Sequence, residues 1–346
     1  MRTLIYGAGA IGGYVGAKLA QSGQPVALVA RPDTADRINI QGLLLAEPGH
    51  LSTQHLPAYG SLAESMVGES YDLVVLGMKS YDLAEAMRDL VAAGPLPPAL
   101  LTTQNGIGVE EIVQGAAGAA CVYAGAVTIP VRREAGNQLI VDKQGRGMGV
   151  AAVDAGVPAA PVADMLRRAG IDVTLVDDYR AMKWSKAMLN IMSNATSAIL
   201  DMTPRELYRV PAIVRLESRM LRETLGVMDH LGLAPVDLPG APVRWLARGI
   251  RLGPYLLMRA ILRRGVAGSR GDKMPSFHMD LHSGRKRSEV VFHNGAIADA
   301  GEAHGLAVPV NRTLNEVLMG LVRGERDPAW YAHRPERLMA EIPAAD

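Results

Sequence analysis

A short apolar run, Thr3-Leu4-Ile5-Tyr6, leads straight into Gly7-Ala8-Gly9-Ala10-Ile11-Gly12, and a helical pattern follows from Tyr14 to Ser22, closed by Gly23. The G-x-G-x-x-G spacing alone is a weak signal; a strand before it and a helix after it turn it into a dinucleotide-binding turn. Gly7 permits the tight turn, Gly9 lets the backbone approach a pyrophosphate, and Gly12 allows close packing of helix on strand. N–H groups at the helix start then receive the phosphate charge. The backbone from Gly7 through Ala8, Gly9, Ala10 and Ile11 to Gly12 is therefore the expected cofactor turn.

The following strands extend the pattern. Pro25 to Ala30 ends at Arg31-Pro32-Asp33. An acid at this strand end holds a ribose 2′-hydroxyl, whereas an Arg accommodates a 2′-phosphate. Arg31 at the tip favours NADP, and Asp33 keeps NAD as the alternative. Tyr71 to Leu76 ends in Gly77-Met78-Lys79, and Ala99 to Thr103 ends in Gln104-Asn105-Gly106. Polar residues at successive strand ends are where a doubly wound sheet places its ligand contacts. Lys79 also reads as a solvated loop lysine, and Asn105-Gly106 as a plain turn.

From Cys121 to Val153 the pattern becomes strand-like, with a hairpin connection at Arg132 to Asn137, so an antiparallel extension of the sheet is expected. A helix from Pro158 to Arg168 and a strand from Asp172 to Val176 complete this half. Asp177-Asp178 marks the boundary, giving residues 1–178 as an α/β Rossmann-type domain and 179–346 as a helical one.

The segment Tyr179 to Leu200 has no Gly or Pro and reads as one helix. Lys186, Asn190 and Asn194 recur every four residues, which puts an ammonium and two carboxamides along one face of an otherwise apolar stretch. Such a row is either a solvated stripe or a set satisfied inside a cleft. Further helices are expected at Pro204–Tyr208, Ile213–Leu231, Glu289–His304 and Asn311–Arg323. Glu289 falls near a helix start, where Ser288 could cap and the carboxylate could serve the dipole. Between them, Arg244 to Lys273 interleaves Trp245, Leu252, Leu256 and other apolar residues with arginines. A stretch of this kind can lie on an anionic membrane or snorkel over its own domain; the second is favoured.

The remaining bounds are exclusions. Lys+Arg 36 against Asp+Glu 35 leaves a net charge of +1, so no basic field points to nucleic acid. The lone Cys121 excludes an internal disulfide and a cysteine-cluster metal site, and His278, His282, His293 and His304 are not spaced as ligands. No apolar run reaches the ~18–20 residues of a membrane span, and Met1 leads directly into the first strand, so a cytoplasmic protein is expected.

Together these pieces resemble the ketopantoate reductase (2-dehydropantoate 2-reductase) family. The resemblance rests on GAGAIGG, Arg31, GMKSYD around Lys79, QNGIG around Asn105, the Lys186–Asn190–Asn194 row, PSFHMD around Ser276, SEVVFHNGAI around Glu289, and HGLAVPVN. It implies a Rossmann domain followed by an all-α domain, and NADPH-dependent reduction of a 2-oxo acid in pantothenate biosynthesis. It further implies Lys186 as general acid, Asn190, Asn194 and Ser276 as substrate contacts, Glu289 as the acid holding the substrate hydroxyl, and Lys79 and Asn105 as contacts near the nicotinamide, Asn105 reaching substrate too. SEVV stands where TEID is usual, and Arg244–Lys273 is longer and more basic than in compact members. A paralogue acting on another 2-oxo acid or imine, and a non-catalytic NADP(H) sensor, are the alternatives. A homodimer stays open.

Overall fold

The computed structural model describes residues 1–134, 136–263 and 273–343. Their contacts divide the chain into two units, Met1–Lys183 with Asp237–Ala241, and Trp184–Val236 with Pro242–Asp346.

The first unit is built on a sheet of order β12-β11-β8-β7-β6-β1-β2-β5. Its strands are β1 (Thr3–Tyr6), β2 (Val26–Val29), β5 (Ala58–Tyr59), β6 (Leu73–Leu76), β7 (Ala99–Thr102), β8 (Cys121–Val127), β11 (Met148–Ala152) and β12 (Val173–Leu175). Helices α1 (Ala10–Gln21), α2 (Pro32–Gln41), α3 (Leu62–Met66), α4 (Leu83–Ala92), α5 (Val109–Gln114) and α6 (Ala160–Arg168) connect them. Every residue of β2, β6 and β7 is buried, which is why these strands read as unbroken apolar runs. Tyr6 is level with Val29 and Leu76, and Leu76 with Thr102. The segments beginning at Gly7, Ala30, Gly77 and Thr103 therefore leave the sheet at one end. The chain turns from β1 to β2 on one side and takes up β6 on the other, and ligands of open α/β sheets bind at that switch point.

The antiparallel extension expected over Cys121–Val153 is only partly present. β11 does run antiparallel to β8, but β8 itself lies parallel to β7. The intervening hairpin, β9 (Val131–Arg133) and β10 (Gln138–Val141), joins a separate sheet with β3 (Leu43–Glu47) and β4 (His50–Gln54), in the order β4-β3-β10-β9. β10 pairs antiparallel with β9 and parallel with β3. Leu139 and Val141 are buried with Leu43 and Leu45 in the core of the unit. Nothing local says which of two sheets an apolar strand will join.

Helix α7 (Tyr179–Ile191) crosses the division, which falls after Lys183. The second unit continues with α8 (Asn194–Leu200), α9 (Pro204–Leu207), α10 (Pro211–His230), α11 (Val243–Leu252), α12 (Tyr255–Ile261), α13 (Ser276–His282), α14 (Asn294–Ala303), α15 (Pro309–Arg323), α16 (Pro328–Tyr331) and α17 (Pro335–Glu341). Every residue of α8 is buried, against α13 and α15, and α10 packs on α14 and α15.

Two expected helices are interrupted. Tyr179–Leu200 breaks at Ser193, whose φ of 57° places it in the left-handed region. Glu289–His304 starts as a 3₁₀ turn, Glu289–Phe292, and becomes α-helical only after His293. In the basic stretch, α11 buries Val243, Leu246, Ala247 and Ile250 and leaves Arg244, Trp245, Arg248, Arg251 and Leu252 exposed. Arg264 and Arg270 lie outside the described residues.

Candidate active site

The glycine turn is held by its own packing. Gly7 has a φ of 100°, and its N–H and that of Ala8 both donate to the Val29 carbonyl, at 3.1 and 3.0 Å. A Cβ on Gly7 would come within 2.7 Å of Met78 N, and one on Gly12 would strike the Gly7 carbonyl. Gly77, at the end of β6, faces the same carbonyl so closely that a Cβ there would also strike it. Gly9 differs. The nearest atom to a Cβ on Gly9 is the Gly77 carbonyl oxygen at 3.7 Å, ordinary contact, and its φ of −74° suits any residue. Protein packing thus demands glycine at positions 7 and 12 but not at 9, where open space lies over the start of α1. The turn fits the close approach of a pyrophosphate.

Arg31 is the exposed N-cap of α2. Two further arginines, Arg37 and Arg133, lie near it. Arg133, at the end of β9, donates from Nη1 to the Ala8 carbonyl at 2.8 Å, and from Nε and Nη2 to the Gly136 carbonyl. The Arg37 guanidinium rests on Gly136, with Nη1 2.7 Å from where a Cβ would be. Burial lowers the Arg133 pKa, and the neighbouring charges of Arg31 and Arg37 lower it further. Three like charges beside the glycine turn repel one another, an arrangement that favours an anion.

The ends of β6 and β7 are stitched together. Thr103 Oγ1 and Gln104 Nε2 both donate to the Leu76 carbonyl, at 2.7 and 2.9 Å, and Ser80 Oγ donates to the Asn105 carbonyl at 2.7 Å. Half-buried Lys79 and Asn105 are carried on these two loops. Lys183, also unforeseen, anchors the second loop: its buried ammonium donates to the Gln104 carbonyl at 2.6 Å and lies 2.9 Å from Glu110 Oε1. Thr102 Oγ1 donates to the same carboxylate oxygen.

In the second unit, half-buried Lys186 precedes Asn190 by about one turn of α7. Asn190 Nδ2 is 3.3 Å from His293 Nε2, and His293 Nδ1 is 2.9 Å from the Glu289 carbonyl. A carbonyl can only accept, so Nδ1 carries a proton, and in the neutral ring Nε2 then accepts from the Asn190 amide. His293 is buried and lies against that amide. Buried Asn194 accepts from Phe277 N at 3.0 Å and donates to Ser276 Oγ at 3.3 Å. Glu289 is buried on the 3₁₀ turn, where Ser288 Oγ accepts from Val290 N as a cap. One network therefore links Asn190 to His293 and the Glu289 backbone, and a second links Asn194 to Ser276.

A pocket of about 330 Å³ beside α11 is lined by Pro235, Arg244, Ala247, Arg248, Arg251 and Leu252. Among the described residues no helix is long and apolar enough to cross a membrane. No group of three or more His, Cys, Asp or Glu among them is placed to hold a metal ion.

Two family models match the chain: "Ketopantoate reductase PanE/ApbA" over residues 3–148 and "Ketopantoate reductase PanE/ApbA C terminal" over residues 178–322. Among relatives, the 2-dehydropantoate 2-reductase of Halobacterium salinarum is 28% identical over 329 residues, covering 92% of this chain and 98% of its own. That of Archaeoglobus fulgidus is 29% identical over 327 residues, covering 93% and 98%. Among solved structures, a PanE/ApbA family ketopantoate reductase from Ralstonia eutropha JMP134 is 25% identical, with a TM-score of 0.79 over 94% of this chain and 100% of that one.

Proposed function

The chain belongs to the ketopantoate reductase PanE/ApbA family of oxidoreductases, and from that premise we propose that it reduces a 2-oxo acid to a 2-hydroxy acid with NADPH, 2-dehydropantoate being the first substrate to test. The observation that carries this reading is the pair of networks in the second unit. Asn190, fixed by His293, and Asn194, fixed by Ser276 and Phe277 N, are two oriented amides on the segment that also bears Lys186. Two held amides and a nearby ammonium suit a small, oxygen-rich anion.

When bound, the dihydronicotinamide supplies the hydride for the ketone carbon. Negative charge then develops on the ketone oxygen. The Lys186 ammonium stabilises it and passes on a proton, which gives the hydroxy acid. Asn190, Asn194 and Ser276 orient the substrate, and Glu289 accepts from a substrate hydroxyl. In the first unit the glycine turn receives the pyrophosphate, and Lys79 and Asn105 lie on the strand-end loops that meet the rest of the cofactor, with Asn105 serving substrate as well. NADPH is preferred over NADH because Arg31, Arg37 and Arg133 gather positive charge beside the turn. Asp33, in the first turn of α2, is the residue that would serve NADH instead.

A second reading, reduction of a different 2-oxo acid or an imine, takes its support from the basic stretch that forms α11 and α12. A purely sensing role would need neither Lys186 nor a buried Glu289. Following NADPH absorbance across branched, linear and aryl 2-oxo acids tests all three. Turnover of 2-dehydropantoate well above the rest supports the first reading, a different best substrate supports the second, and binding without turnover of any acid leaves the sensor.

A further inference from the structure

Lys186, Asn190 and Asn194 would form a single stripe on an unbroken helix, and the break at Ser193 prevents it. Ser193 has φ 57° and ψ 0°, a conformation that costs a residue with a Cβ about 1–2 kcal/mol. Its N–H is turned onto the carboxylate of Glu217, 3.2 Å from Oε1 and 3.0 Å from Oε2. The same carboxylate accepts from Thr196 Oγ1 at 2.6 Å and Tyr208 OH at 3.3 Å. Glu217 is 0% exposed in the middle of α10, and the mechanism above does not use it. A buried carboxylate is costly unless donors surround it; here the donors come from the break, from α8 just beyond it, and from the end of α9.

The break redirects the two amides. Asn190 stays in α7 and meets His293, whereas Asn194 becomes the first residue of α8 and meets Ser276 and the backbone of Phe277. We infer that Glu217 is a positioning residue of the reductase site: by accepting from Ser193 N and Thr196 Oγ1 it holds the α7–α8 break, and through the break it aims Asn190 and Asn194 at the substrate. The inference rests on the reading of those asparagines as substrate contacts.

Glu217→Gln keeps the shape but replaces one acceptor oxygen with a donor. It is expected to lower kcat/KM for the 2-oxo acid by about 10-fold or more, the scale of a small misplacement of reacting groups, while NADPH affinity in the binary complex changes less than about two-fold. Ser193→Gly adopts the left-handed conformation without strain, so the double variant Glu217→Gln/Ser193→Gly is expected to recover part of the lost kcat/KM. A residue that merely stabilises the fold would show neither the split nor the rescue. A lowered Tm with unchanged kcat/KM in Glu217→Gln would overturn the inference. So would an equal loss of NADPH affinity, or failure of the glycine to rescue. Should Glu217→Gln not fold, Glu217→Asp, which keeps the charge but shortens the reach, is measured with the same expectations. Lys186→Ala is assayed alongside: near-normal turnover there removes the underlying reading and the inference with it, whereas a strongly impaired Lys186→Ala beside a fully active Glu217→Gln removes the inference alone.

Discussion

The Asn190 amide and the His293 imidazole meet at 3.3 Å, and the far nitrogen of that ring lies 2.9 Å from the Glu289 carbonyl. The carbonyl dictates the tautomer, and the tautomer dictates which way the amide faces. Replacing His293 with Ala removes the acceptor and frees the amide to rotate. Such a loss is worth ~1–2 kcal/mol, so kcat/KM for the 2-oxo acid is expected to fall about 10-fold. Steady-state kinetics at saturating NADPH, with cofactor affinity measured separately, checks that the effect stays in the second unit.

Lys186→Ala is expected to reduce turnover by about 10²-fold or more, the usual scale for a general acid, with NADPH binding intact. Single-turnover measurement of NADPH oxidation separates the chemical step from product release. A variant within a few-fold of wild type would disprove the assignment.

The glycines of the turn divide by what presses on them. Gly12→Ala would drive a methyl group into the Gly7 carbonyl and is expected to cost about 1–3 kcal/mol of stability. Gly9→Ala meets nothing closer than 3.7 Å in the protein; its stability is expected to stay within about 0.5 kcal/mol of wild type while its NADPH affinity falls. Thermal unfolding without cofactor, followed by cofactor titration, distinguishes the two variants.

Arg31 and Arg133 have separable roles. Arg31→Ala is expected to weaken NADPH about 10-fold or more, the loss of one charge-assisted contact, and to leave NADH nearly unchanged. Arg133→Ala also releases the Ala8 carbonyl, so it is expected to weaken both cofactors, NADPH more than NADH. Dissociation constants for the two dinucleotides in both variants decide this. Loss of NADH alone in Arg31→Ala would reassign the cofactor.

The parts of this architecture that could be read from the sequence are those whose causes are local. The glycine turn, the strands feeding it and the Ser288 cap each depend on residues a few positions apart. What stayed hidden depends on distant partners. β3 and β4 are short, and β4 is largely polar, so they show as strands only through pairing, β3 with the distant β10 and β4 with β3. Ser193 looks like any helical serine until Glu217 is brought to it from α10. Arg133 reads as part of a hairpin connection, and its reach to Ala8 depends on which sheet the hairpin joins. Histidine spacing speaks only to metal ligation, whereas the contact His293 makes with Asn190 depends on bringing the turn at Glu289 up to α7.

Helix α7 belongs to both halves of the chain, and the division within it falls after Lys183. Its ammonium is seated on Glu110 and the Gln104 carbonyl, a buried ion pair of the kind that costs several kcal/mol to break from one side. Each residue of an α-helix turns the chain by about 100°. Adding or deleting a single residue between Lys183 and Lys186 would therefore turn Lys186 and Asn190 by that angle about the axis of α7 while Lys183 kept its seat. A chimera that borrows a nucleotide-binding half from a relative should carry α7 over whole, because a junction cut inside it would inherit whatever phase error the two parents happen to bring.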